Sequence, residues 1–95
     1  MDSLTAAAFE PHRSSEFDVA DVPGRALRLD EVTAHGRQPG APRADPFALV
    51  FTGDGPVLDQ RTYRLEHPVL GALDIFLVPI GQDSDGRVRY EAVFN

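Results

Sequence analysis

Apolar and polar residues alternate along much of this chain, in short stretches that turn-forming residues separate. Phe17 and Val19 alternate with acidic residues, and Leu27 and Leu29 alternate with charged residues. An alternation with a period of two is typical of a half-buried β-strand. A Pro-Gly pair lies between the two stretches, so they predict a short first hairpin.

The second half of the chain, from Pro46 to Asn95, predicts four further strands joined by short, turn-rich loops. A parallel crossover needs a dozen or more residues, so we expect these strands to form an antiparallel meander. The predicted fold class is all-β, a small antiparallel sandwich or partly open barrel of about six strands with a short N-terminal helical segment. Alternation predicts these core residues: Phe47, Leu49, Phe51, Tyr63, Leu65, Val88, Tyr90, Ala92 and Phe94.

The predicted strand from Leu73 to Ile80 is unusual because both of its faces are apolar. One face joins the core, and the other, with residues of neighbouring strands, forms a surface that we call the outer apolar face. An exposed patch of this kind marks a site of contact with another protein or with a second copy. The alternatives are that the N-terminal segment covers it or that the sheet closes on itself. Our interface candidates are Phe76, Val78, Ile80, Val50 and Val93.

We interpret residues 1–95 as one domain, since the chain is long enough for only a single core. Within the N-terminal segment, residues 1–15, the stretch 4–9 predicts a short helix that Ser3 or Thr5 caps and Pro11 ends. Residues 35–45 contain two prolines and two glycines without apolar periodicity, which predicts an exposed loop. The alternative for this loop is a binding segment that uses its arginines on an acidic partner.

Composition narrows the classes of function. The chain has no cysteine, which excludes disulfides and thiolate chemistry. Its net charge of −6 disfavours binding to a nucleic-acid backbone. The sequence has neither a signal peptide nor an apolar stretch that could span a membrane, so we expect a cytoplasmic protein without a membrane partner.

No motif of catalysis or metal binding emerges, so we assign no catalytic, cofactor-binding or metal-ligating residue and expect no cofactor. The segment Asp83-Ser84-Asp85-Gly86 resembles part of a calcium loop, but alanine stands at position 92, where such a loop needs a bidentate Glu. Aspartate and glycine are also favoured turn residues, and we interpret the segment as a hairpin turn.

Two other functions stay open. A small hydrolase or isomerase would use a pocket around Tyr63 and His67, with Asp74 or Glu66 as the acid. The plainer interpretation of His67, which precedes a proline, is a histidine packed in a turn. A barrel that binds a small ligand is the third possibility, although side chains fill most of the interior of a barrel of this size.

The strand motifs resemble one known family. They are PFALVF at 46–51, YRLEHP at 63–68, LG at 70–71, FLVPIG at 76–81 and YEAVFN at 90–95. Phe9 and the pair Phe17 and Val19 also agree with it. The chain resembles the short bacterial proteins grouped as domain of unknown function 6916. The resemblance implies no activity, but it implies a neighbourhood of phage tail-collar-like genes. We therefore expect a non-enzymatic structural or accessory protein that works by contact with another protein or with itself, in a phage-tail-like assembly.

Overall fold

The structure is a computed structural model that describes residues 5–34 and 46–94. The predicted loop at 35–45 lies outside the described residues. A short helix α1 and a single 3-10 turn precede six strands. Their bounds are α1 Ala6–Phe9, 3-10 turn Glu10–His12, β1 Glu16–Val19, β2 Ala26–Ala34, β3 Phe47–Gly53, β4 Arg61–His67, β5 Gly71–Gln82 and β6 Val88–Phe94.

The six strands form one closed antiparallel barrel in the order β1-β2-β3-β6-β5-β4, which confirms the predicted fold class. It consists of two three-strand meanders, β1-β2-β3 and β4-β5-β6. Where they meet, seven residue pairs join β3 to β6, but only two join β4 to β1. The barrel is therefore closed, not partly open, and its narrowest seam lies between β1 and β4.

The prediction that the last four strands form one continuous meander is wrong, because β3 pairs with β6 and not with β4. Residues 54–60 instead cross one end of the barrel, which we call the upper end. The crossing is stable because Leu58 inserts into the core with 8% of its surface exposed. Its backbone N–H donates to the Tyr90 hydroxyl over 2.9 Å.

Alternation places the predicted core residues inside the barrel, and all of them are buried except Phe94, which is partly buried. Two bulges interrupt the period of two, and the first of them returns Val32 of β2 to the inner side of the barrel. One lies in β2 between Leu29 and Glu31, and the other lies in β5 between Pro79 and Gly81. The second directly follows Pro79, which has no N–H to donate to the strand pairing.

The N-terminal segment closes the opposite, lower end of the barrel. Thr5 caps α1 by accepting a hydrogen bond from the Ala8 N–H over 3.1 Å, while Ser3 lies outside the described residues. The α-helix ends at Phe9, before Pro11, and the chain continues through the 3-10 turn, whose first positions accept proline. The fully buried Phe9 packs against the rings of Phe47 and Phe94, at centroid distances of 5.9 and 6.2 Å. We call residues 5–15 the plug.

Candidate functional site

At the lower end of the barrel, His67 is the centre of a polar cluster inside an apolar surrounding. It is the last residue of β4, and only 7% of its surface is exposed. Its ring lies 4.5 Å from the Phe17 ring and 4.6 Å from the His12 ring, the latter in an edge-on arrangement. Its Nε2 lies 3.1 Å from the Ser15 hydroxyl oxygen. No sequence pattern had assigned a role to His12 or Ser15.

The hydrogen bonds around His67 fix its neutral tautomer. Nδ1 accepts from the backbone N–H groups of Val69 and Leu70, over 3.0 and 3.2 Å, and must therefore carry no proton. The Ser15 hydroxyl donates its hydrogen to the His12 carbonyl oxygen. Its own oxygen therefore accepts a hydrogen bond from the Nε2–H of His67. Burial lowers the pKa of His67, and repulsion from His12 lowers it further.

This tautomer bears on the chemistry open to the pair of Ser15 and His67. A histidine that activates a serine nucleophile needs a free lone pair on the nitrogen facing the hydroxyl. In His67 that nitrogen holds the proton, and the other nitrogen is occupied by two backbone donors. The geometry is that of a packed turn histidine, the interpretation that the sequence favoured.

The structure does not bring together the residues of the enzyme alternative. Tyr63 and His67 both point into the barrel, but they are four positions apart along β4, a distance of about 13 Å along a strand. The Tyr63 hydroxyl donates to the Asp59 carbonyl oxygen over 2.7 Å at the upper end, and burial raises the pKa of this phenol. Asp74 lies on the outer surface, where it forms an ion pair with Arg64 at 3.2 Å.

A shallow surface depression of about 450 Å³ adjoins the His67 cluster. Its lining residues are Asp18, Glu66, His67, Pro68, Gly71 and Ala72. Asp18 and Glu66 are directly opposite each other across the β1–β4 seam, and both are exposed. Within residues 5–34 and 46–94, no group of three or more potential ligands is placed to hold a metal ion.

The Asp83 segment forms the turn between β5 and β6. One carboxylate oxygen of Asp83 accepts from the N–H groups of Asp85 and Arg87, over 2.9 and 3.0 Å. This side chain thus satisfies the backbone of its own loop, as turn aspartates do.

The outer apolar face lies on the outside of β5, β6 and β3, which are neighbours in the barrel. Three of its residues are well exposed: Phe76 at 49%, Ile80 at 44% and Val93 at 53%. Val78 is half-buried and pairs with Glu91 of β6. When the antiparallel pairing of Val78 with Glu91 is continued by two residues, Phe76 of β5 lies next to Val93 of β6. The plug does not cover this face, because it packs at the lower end through Phe9.

The interface candidate Val50 is an exception, since only 8% of its surface is exposed. It points outward from β3, between Glu31 of β2 and Glu91 of β6. An ion pair of 3.2 Å joins Arg89 of β6 to Glu31. The side chains of Arg89 and Glu31 meet across the outside of β3 and cover Val50. The accessible part of the outer apolar face is therefore confined to β5 and β6.

Glu91 lies within the outer apolar face, and the sequence did not draw attention to it. It is half-buried, with Val78 and Val50 on either side and Val93 two residues further along β6. In the described part of the chain, its carboxylate has neither a hydrogen bond nor an ion pair. The signal in the sequence was a single acid among apolar residues in the segment YEAVF.

Comparison with known proteins agrees with the resemblance of the strand motifs. Residues 4–94 match the model of the family described as "Domain of unknown function (DUF6916)". The fold and this match define the chain as a small β-barrel protein. It belongs to that family, whose description names no activity. No curated protein and no solved structure shows a significant match to the chain. In the described ranges, no helix has the length and apolar character needed to cross a membrane.

Proposed function

We propose that this protein works by binding another protein through the accessible part of the outer apolar face. The observation that supports the proposal is the exposure of Phe76, Ile80 and Val93 on two adjacent strands. Large apolar side chains that cluster on the outside of a small barrel are typical of a contact surface, whereas single exposed ones are ordinary. Aromatic side chains such as Phe76 are enriched in such surfaces.

The charge of the face indicates which kind of partner it fits. Glu91 is a half-buried carboxylate without a partner in the described chain, between valines of β5 and β3. A contact that covered it without a donor would leave a buried charge unpaired, which costs several kcal/mol. The partner therefore presents an apolar surface that contains an Arg or Lys side chain opposite Glu91.

A second copy of this chain fits the same face less well. A two-fold axis through the face would bring the two Glu91 carboxylates towards each other. It would also join two chains that each carry a net charge of −6. We therefore favour a different protein over self-association. The resemblance adds the setting of the proposal, a structural or accessory role in a phage-tail-like assembly.

Light scattering tests this proposal. The solution mass is measured over a concentration series, first for the chain alone and then after mixing with purified products of neighbouring genes. We expect a monomer alone and a heterocomplex with one of these products. A dimer of the chain alone that Val93→Asp abolishes would assign the face to a second copy instead. A monomer that forms no complex would refute the contact function.

Matched variants locate the contact. Val93→Asp and Val69→Asp introduce the same change at two exposed valines, on the outer apolar face and in the turn between β4 and β5. We expect Val93→Asp and the charge reversal Glu91→Lys to weaken the complex at least tenfold, and Val69→Asp to leave it unchanged. Equal affinity of all three folded variants would show that the partner binds elsewhere.

A further inference from the structure

The plug is held at the lower end of the barrel by Phe9, by backbone hydrogen bonds of Ser14 and Ser15 to Leu29 over 2.6 and 3.0 Å, and by contacts with His67. Phe9 fills the end of the barrel, and the rest of the plug reaches the His67 ring through two groups. The His12 ring packs edge-on against the His67 ring, and the Ser15 hydroxyl oxygen accepts a hydrogen bond from the Nε2–H of His67. The other nitrogen of the ring binds the N–H groups of Val69 and Leu70. One side chain thus holds both the plug and the turn that follows β4.

This arrangement needs the neutral ring. A protonated His67 carries hydrogens on both nitrogens, and its Nδ1 can no longer accept from Val69 and Leu70. Two backbone donors in partly buried positions would then face a third donor. A backbone N–H that loses its acceptor in such a position destabilises the closed state. The positive ring would also lie beside His12, which repels it.

The charged groups around His67 do not stabilise its protonated form enough to offset the hydrogen bonds that this form loses. On the 3-10 turn, Glu10 forms an exposed ion pair with Arg13 at 3.8 Å. On β1 and β4, Asp18 and Glu66 line the depression next to His67, and they favour a positive ring. Both are exposed, so water screens their effect. The turn 68–70 contains no titratable side chain.

We propose that His67 is an acid-sensitive latch, whose protonation releases the plug and the turn 68–70 together and uncovers the lower end of the barrel. The released state would expose the rings of Phe47 and Phe94, which Phe9 contacts in the closed state. This surface is separate from the outer apolar face, and the latch does not depend on the proposed function.

The direction of the pH dependence follows from linkage. The pKa of His67 in the closed state lies below its ordinary value of 6.5, so the open state binds the proton more tightly. The latch is therefore fully closed above about pH 6.5 and weakens as the pH falls through the closed-state pKa. One proton changes the opening equilibrium by at most about tenfold per pH unit.

Amide hydrogen exchange by NMR measures the opening of the plug. The protection factors of residues 5–15 and 68–70 are compared at pH 7.5 and pH 5.0, relative to those of β3 and β6. We expect both segments to lose protection together by at least threefold at pH 5.0 while the two reference strands change less. The variant His67→Asn keeps an acceptor for the two backbone N–H groups, as turn asparagines do, but cannot be protonated. It should abolish the difference between the two pH values.

The variant His12→Gln provides the matched control, because it removes the neighbouring titratable ring and leaves His67 in place. We expect its opening to keep its pH dependence, with the midpoint shifted to higher pH. Equal acid-induced opening in wild type and His67→Asn would overturn the latch. Should His67→Asn not fold, the ring of the wild type decides: a proton on Nδ1 at pH 7.5, or a titration that does not coincide with plug opening, would also overturn it.

Discussion

Truncation of Phe9 measures how much the plug contributes to the stability of the barrel. Phe9 is fully buried and is the single buried residue of α1, which spans four residues. Replacement of a buried phenylalanine by alanine costs about 3–5 kcal/mol. A helix of one turn cannot form alone, so the plug of Phe9→Ala should detach instead of leaving a cavity. The loss is then limited to the free energy of docking, and we expect about 3 kcal/mol.

This loss is a large fraction of the total, because a domain of this length is stable by roughly 5–14 kcal/mol. It corresponds to a fall in Tm of about 12–24 °C. Urea unfolding at pH 7.5, followed by circular dichroism, measures the free energy and the m-value. A plug that is already detached in the native state should also lower the m-value, since less surface becomes exposed on unfolding.

The variant Phe76→Ala is the matched control, with the same chemical change at a side chain that is 49% exposed. We expect it to lose less than about 1 kcal/mol, because it creates no buried cavity. A loss below about 1 kcal/mol in Phe9→Ala, or equal losses in the two variants, would refute the assignment of Phe9 as the plug of the barrel.

Three further predictions concern the upper end and the outer surface. Gly53→Ala should lower the free energy of unfolding by about 1–3 kcal/mol, because its Cβ would lie 2.5 Å from Leu27 Cδ2. Tyr90→Phe should cost about 1–3 kcal/mol in urea unfolding, since it removes the acceptor of the buried Leu58 N–H. Burial raises the pKa of Asp30, but the hydrogen bonds and positive charges of its neighbours, above all Arg28, together outweigh it and hold the pKa below the ordinary 3.8. The stability that this carboxylate contributes is therefore present above pH 3.8 and lost as the pH falls through the lower, folded-state pKa, and Asp30→Asn should remove that part of the acid dependence.

Each of these predictions has a control. Gly55→Ala adds a Cβ with no atom within 4 Å and should leave the stability nearly unchanged. Tyr63→Phe removes a partly buried hydroxyl whose acceptor is a loop carbonyl, and we expect it to cost less than Tyr90→Phe. The packing described for the upper end would be contradicted if the loss of unfolding free energy were the same for Gly53→Ala and Gly55→Ala. Equal losses for Tyr90→Phe and Tyr63→Phe would contradict it as well. An unchanged acid slope in Asp30→Asn below pH 3.8 would show that other carboxylates determine it.

Much of the fold followed from the sequence because a strand places alternate side chains on opposite faces, a rule that acts over a few residues. The segment 88–94 shows this directly, since Val88, Tyr90 and Ala92 lie inside the barrel and Val93 lies outside. The doubly apolar strand 73–80 was also found by this rule. The family could be identified because its motifs coincide with these strands.

The candidate site was predicted only in part, because its components are distant in the chain. Fifty-two residues separate Ser15 from His67, and no local pattern connects them. Phe76, Ile80 and Val93 are exposed on the outside of β5 and β6, where the alternation within each strand is a local signal. The burial of Val50 was not foreseen, since it depends on an ion pair between strands that flank β3.

The sequence by itself determined the strands, their inward and outward faces and the absence of a recognisable catalytic motif, because these depend on neighbours along the chain. Only the tertiary structure decided the strand order, the closure of the barrel and the two ends that Leu58 and Phe9 fill. The wrong expectation of a β3–β4 hairpin illustrates the reason. A short loop permits neighbouring strands but does not require them, and burial of Leu58 together with seven residue pairs between β3 and β6 favours the crossing.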